Sequence, residues 1–169
     1  AVVLCVWAFV AVADRVTARV HGHCVGAGAE LAAFCHRVIA APDATFRLPE
    51  VAMGLVPGAG GTASIPRRIG RHRSAHLAIT GRPIDAATAL DWGMVSRVVQ
   101  HDDLLGEARA LADRITKNPS HALRMAKRLL QESRTGSLES TLGMAAAMQP
   151  LAHRDPEHEQ RISRWRSHQ

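Results

Sequence analysis

The sequence predicts an α/β fold closed by a helical tail. Three observations predict it. Short apolar runs in the first hundred residues are cut by Gly and Pro at strand-like intervals. Two glycine-rich loops lead straight into helix-forming segments. From Leu104 onward, apolar residues recur at helical spacing with few breaks.

Each element follows in order. Ala1 to Ala13 (AVVLCVWAFVAVA) carries no charge. It is too short for a membrane-spanning helix, which needs roughly 20 residues. It also lacks the basic start of a signal peptide, so a buried helix or strand is expected there. Val16–Val20 is a strand candidate, and His21-Gly22-His23 turns the chain. Val25 to Ala29 leads into a helix over Glu30–Phe34. Arg37–Ala41 and Thr45–Leu48 are strands, ended by Pro42-Asp43 and Pro49-Glu50. Pro57 to Thr62 is a glycine-rich loop entering a helix that ends near Gly70. Asp85 can cap a helix through Trp92, and Val95–Val99 is a last strand.

Leu104, Leu105, Ala108, Leu111, Ala112 and Ile115 form one helical face, broken at Asn118-Pro119-Ser120. Ala122, Leu123, Ala126, Leu129 and Leu130 repeat the pattern up to Thr135-Gly136. Ser137 can cap a third tail helix. Asp155-Pro156-Glu157 starts a fourth, with a capping acid and Pro at the first helical position. Short strands alternating with helices place the chain in the α/β class.

Composition narrows the function classes. The chain has 169 residues, about one domain's worth. Hydrophobic residues make up 47%, which excludes disordered and low-complexity readings. The net charge of +6 favours an anionic partner without choosing one. Aromatics are 4% with no Tyr, so platforms for stacking nucleic-acid bases are scarce. The three cysteines, Cys5, Cys24 and Cys35, are odd in number and lack CxxC spacing. A disulfide framework is therefore not expected, and a reducing, cytoplasmic setting is. No membrane role is expected.

Several residues could carry chemistry. In the Gly26-Ala27-Gly28-Ala29-Glu30 loop, small residues let backbone N–H groups approach a ligand at a helix start, which suits an oxyanion or a phosphate. On spacing alone, a plain strand-to-helix turn is the stronger reading. Glu30 lies in an apolar run, where it is either an acid at a helix N-terminus or a proton-transfer group with a raised pKa. Glu50 ends a strand in apolar company. The two would make an acid–base pair if the fold joined them, which spacing does not show.

Gly58 to Ala63 matches G-x-G-x-x-A, but Pro57 precedes it and Asp85 opens a helix, so a dinucleotide site is rejected. His21/His23 and His72/His76 lack a third ligand, so no metal site is expected. Arg67, Arg68, Arg71 and Arg73 form a basic cluster suited to solvation or a small-molecule phosphate.

Five blocks in register carry a family resemblance: Val20 to Ala32, Ala40 to Phe46, Pro49 to Thr62, Thr80 to Ala86, and Trp92 to Val95. In order and spacing they resemble the enoyl-CoA hydratase/isomerase (crotonase) family, specifically from about Val16 to Val99. The resemblance implies a partial spiral of ββα turns over 1–99. Over 100–169 it implies a helical region that closes the acyl-CoA pocket and mediates trimer or hexamer assembly. It implies an acyl-CoA thioester of fatty acid metabolism as substrate, no cofactor beyond the coenzyme A of that substrate, and no nucleic acid partner. The thioester oxygen would lie between two backbone N–H groups, the second from Ala27, with Gly26 in the same loop. Glu30 and Glu50 match the two hydratase glutamates and would face one shared cavity. Glu30 would act as base on water and Glu50 would exchange the α-carbon proton. Gly58, at a helix start, would help hold the water or a carboxylate. An isomerase commonly keeps only the Glu50 equivalent, so having both favours hydration.

Family members carry a large segment before the block at Val20, and it supplies the first oxyanion donor. Phe9 to Asp14 echoes its F-x-A-G-A-D motif faintly, with Val12 in place of Gly. The alternatives to an active hydratase are an enoyl-CoA isomerase and a truncated homologue acting only by association.

Overall fold

The computed structural model describes residues 16–167. The expectations for Ala1–Ala13 and the Phe9–Asp14 echo lie outside the described residues. The chain divides into two compact units, Ala1–Ala110 and Leu111–Gln169.

The first unit winds as a spiral. β1 (Thr17–Val20) and β2 (His23–Val25) are followed by α1 (Ala27–Phe34). A second turn repeats the pattern with β3 (Arg37–Ala40) and β4 (Thr45–Arg47). Each pair bends at a corner, so its two strands enter different sheets. Gly22 supplies the first corner with φ 59°, a conformation that glycine adopts without the Cβ penalty. One sheet runs β1-β3-β6 and the other β2-β4-β5. β1 pairs with β3 in parallel, Thr17 opposite Arg37 through Val20 opposite Ala40. β2 pairs with β4 in parallel, His23 opposite Thr45. The ladder continues around the corner through Ala41 N–H to Val20 O and Thr45 N–H to Gly22 O.

After β4 come a 3-10 turn (Glu50–Met53), α2 (Gly61–Ile69) and α3 (Arg71–Thr80). Next are β5 (Ile84–Asp85), α4 (Ala86–Asp91) and β6 (Arg97–Val98). β5 closes the second sheet antiparallel to β4, and β6 adds in parallel to β3. The core lies between the sheets and α1 to α4, built on Val38, Ala40, Phe46, Leu48, Ile65, Leu77 and Met94. Short strands with small buried residues such as Ala40 and Ala44 let successive turns stack closely.

A 3-10 turn (His101–Asp103) leads into α5 (Leu104–Thr116), whose Leu104 packs with Ile39 and Ala41. The second unit continues with α6 (Ser120–Glu132), α7 (Leu138–His153) and α8 (Pro156–Arg166). Both expected caps form. The Ser137 hydroxyl accepts from Ser140 N–H, and the Asp155 carboxylate accepts from Glu157 N–H. His121 Nδ1 lies 3.0 Å from Asp155 Oδ2, tying the start of α6 to the start of α8.

Some elements differ from the sequence expectation. The turn expected over His21–His23 is shorter, and His23 already begins β2. Gly70 ends α2 with φ 78°, but a further helix, α3, follows at once. No described helix is long and apolar enough to cross a membrane.

Candidate active site

The first turn of α1 organises the site. Gly26 precedes it with φ 56° and ψ −127°, a backbone shape reserved for glycine. Its N–H donates to Arg47 O at 2.9 Å and so is committed to the fold. A Cβ on Gly26 would stand 2.8 Å from Glu50 Oε1, so the missing side chain gives the Glu50 carboxylate its place. Ala27 is exposed and is the first residue of the helix. Its N–H therefore has no intrahelical acceptor and points out of the positive end of α1.

Glu30 is one turn further on, its N–H bonded to Gly26 O, and only 1% exposed. Its Oε2 accepts from Gly61 N–H at 2.5 Å, the first amide of α2. Glu50 begins the 3-10 turn after Pro49 and is 9% exposed. Its Oε2 is buried and has no hydrogen-bond partner among the described residues. Burial pushes the Glu30 carboxyl up from the ordinary range, and the neighbouring Glu50 charge pushes it further the same way. The Gly61 and Ala59 amides pull it back down. The fold therefore brings Glu30 and Glu50 into electrostatic contact, which their spacing in sequence left open.

One expectation is corrected. Gly58 is exposed and lies three residues before α2, so it is not at a helix start; Gly61 holds that position. A separate cavity of about 500 Å³ in this unit is lined by other residues. Its walls include Val16, Val20, Gly28, Leu31, Ala32 and Cys35. At 100° per residue, those α1 positions lie on the face turned away from Glu30. That cavity and the Glu30 side chain lie on opposite faces of α1.

The remaining candidates have other partners. His23 Nδ1 meets Thr45 Oγ1 at 2.9 Å, His21 stacks edge-on with His101, and His76 stacks edge-on with Trp92. Among the described residues, the group able to converge on a metal is His121, Asp155 and Glu157, outside both expected histidine pairs. Arg68 donates to Ala33 O at 2.7 Å, and Arg73 lies over the Trp92 ring, so these two members of the basic cluster serve the fold. Cys24 and Cys35 are free thiols; burial pushes Cys24 up to about 11 and raises Cys35 as well. Sequence reasoning missed Gly61. The available signal was the Gly60-Gly61 pair, of which only Gly60, with φ 92°, needs glycine for its backbone.

A spiral of ββα turns with two buried glutamates at a glycine-led helix start defines a class, and comparison with known proteins identifies it. A family model described as enoyl-CoA hydratase/isomerase matches residues 6–162. The chain belongs to that family. It is 46% identical over 132 residues to the probable enoyl-CoA hydratase echA8 of Mycobacterium leprae, covering 78% of this chain and 50% of that protein. It is 38% identical over 125 residues to the 2,3-dehydroadipyl-CoA hydratase of Escherichia coli, covering 74% and 49%. The crystal structure of the Bacillus anthracis enoyl-CoA hydratase superposes with a TM-score of 0.92 at 28% identity, over 99% of this chain and 65% of that one. The chain thus spans about half the length of the curated relatives it matches.

Proposed function

We propose that this chain carries the acid–base half of a 2-enoyl-CoA hydratase site. The observation that carries the reading is the pair of buried carboxyl groups, Glu30 and Glu50, beside the exposed Ala27 amide. Syn-hydration needs one of the two carboxyl groups ionised, to take a proton from water, and the other protonated, to deliver one. Glu30, as carboxylate, takes a proton from water while the water oxygen bonds to the β-carbon. The double-bond electrons move onto the thioester oxygen, which the Ala27 N–H helps hold. Glu50, as carboxylic acid, then delivers its proton to the α-carbon. Glu30 ends protonated and Glu50 ionised, the net change being one water added; proton exchange with solvent resets the pair.

The substrate is an acyl-CoA thioester, with coenzyme A entering only as part of it. The bacterial and fungal relatives include hydratases of several acyl groups, so hydration is supported more broadly than any one chain length. We read the setting as the cytoplasm and fatty acid breakdown, supported by free thiols and by the resemblance. We also read the assembly as a homotrimer or hexamer, supported by the exposed apolar residues of the tail helices.

The test is hydration of crotonyl-CoA by the protein that carries these residues, followed by loss of enoyl absorbance. Glu30→Gln and Glu50→Gln should each lower turnover by roughly 10²–10⁴-fold, the range for a lost acid–base group. Acyl-CoA binding should largely survive, because neither carboxylate would contact a phosphate. Wild-type turnover in either variant would refute the assignment.

A further inference from the structure

We propose that Gly61 is a positioning residue for Glu30, acting through its amide and through the absence of a side chain. The inference rests on reading Glu30 as the water-activating base.

Two observations carry it. First, a Cβ at Gly61 would stand 2.5 Å from Glu30 Cγ, 2.9 Å from Oε2 and 3.0 Å from Cδ, so the carboxylate lies directly on the Gly61 backbone. Gly61 is helical and is not among the glycines with positive φ. Its backbone therefore gives no reason for glycine, a poor helix former. The approach of Glu30 does. The adjacent Gly60 is different, since its φ of 92° and the Phe34 ring at 2.7 Å each call for glycine.

Second, the Gly61 N–H is the first amide of α2 and has no acceptor within its own helix. The residue before it, Gly60, offers no side chain as a cap. Glu30 caps α2 from another element, placing its charge at the positive helix end. The Ala59 amide acts on the same carboxylate in the same sense. Glu30 is thereby aimed by α1 on one side and held by α2 on the other. Burial opposes its ionisation, and Glu50, from the 3-10 turn, adds to that opposition. Arg68 from α2 donates to Ala33 O, at the other end of the α1–α2 contact.

The experiment is a pH titration of the 169-residue chain by NMR. The Glu30 side-chain carboxyl carbon is assigned by its loss in Glu30→Gln. The Gly61 amide proton should shift with the same midpoint as that carbon, and the response should vanish in Glu30→Gln. In Gly61→Ala the Glu30 midpoint should rise by about one pH unit, a tenfold change in proton affinity. If Gly61→Ala does not fold, the comparison between the unmodified chain and Glu30→Gln decides alone. A Gly61 amide that stays flat through the Glu30 titration would overturn the proposal. The hydration assay is separate: an inactive enzyme with this coupling intact would remove the catalytic reading and leave the positioning contact standing.

Discussion

At the scale of single residues, the site spends stability on charge. Glu30 is buried beside another carboxylate, and burial holds its carboxyl above the ordinary value of 4.5. The folded state therefore binds that proton more tightly than the unfolded chain. The stability linked to it is full below pH 4.5 and is lost as pH rises through the raised folded value. Glu30→Gln has the same shape and no such loss. Thermal melts followed by circular dichroism should show the variant level with the parent at pH 4 and more stable at pH 7 to 8. A constant difference across that range would mean that the fold does not raise the Glu30 carboxyl. Glu50→Gln tests the same pair from the other side. Removing the Glu50 charge removes a repulsion, so the Glu30 midpoint should fall; an unchanged or higher midpoint would show that the carboxylates do not interact. That Glu30 and Glu50 belong together was legible only through the family resemblance, because a 20-residue separation says nothing about which corner of a spiral each occupies. The Gly61 contact itself was not legible, although the Gly60-Gly61 pair marked the place. A glycine loop advertises its positive-φ members, whereas Gly61 is explained by a side chain 31 residues away.

At the scale of elements, the local signals that worked were those with a stereochemical cause. Ser137 and Asp155 accept from the amides that helix starts leave unpaired, and both were readable as caps. Ser137→Ala should destabilise the tail unit by about 1 kcal/mol, read as a lower urea midpoint at unchanged slope. The elements missed had no local signature. β2 and β5 are three and two residues long and exist because β4 lies between them. α3 opens on Arg71-His72-Arg73, with no acid in its first turn, and follows a glycine that reads as a helix stop; burial of Ser74 and Leu77 holds it in place. Gly26 is the sharpest element-level test. Ala there would meet both an unfavourable φ and the Glu50 carboxylate 2.8 Å away. Gly26→Ala should cost about 1–3 kcal/mol, with hydration lost in step because Glu50 must move. An Ala variant of parental stability would show that the corner has room to relax.

At the scale of the whole chain, the question is what the exposed apolar surface does. The spiral unit leaves Met53, Leu55, Val56 and Ile79 open, with Val56 76% exposed. The tail unit leaves Leu130, Leu138, Leu142, Leu151 and Trp165 open, with Leu138 also 76% exposed. Scattered apolar side chains are ordinary on a surface, but several large ones per unit are not. Leu138 and Leu142 are four residues apart on α7 and so share one face of it. Burying a leucine side chain is worth roughly 1.5–3 kcal/mol, so a few such residues on one contact outweigh a modest loss of freedom on association. The chain in solution should therefore self-associate, with a light-scattering mass that is a multiple of the monomer and rises with concentration. Leu138→Glu combined with Leu142→Glu should shift that mass toward the monomer without loss of helical content. A chain that stays monomeric at every soluble concentration would show that these side chains are tolerated by water, and would remove the support they give to a trimeric or hexameric assembly.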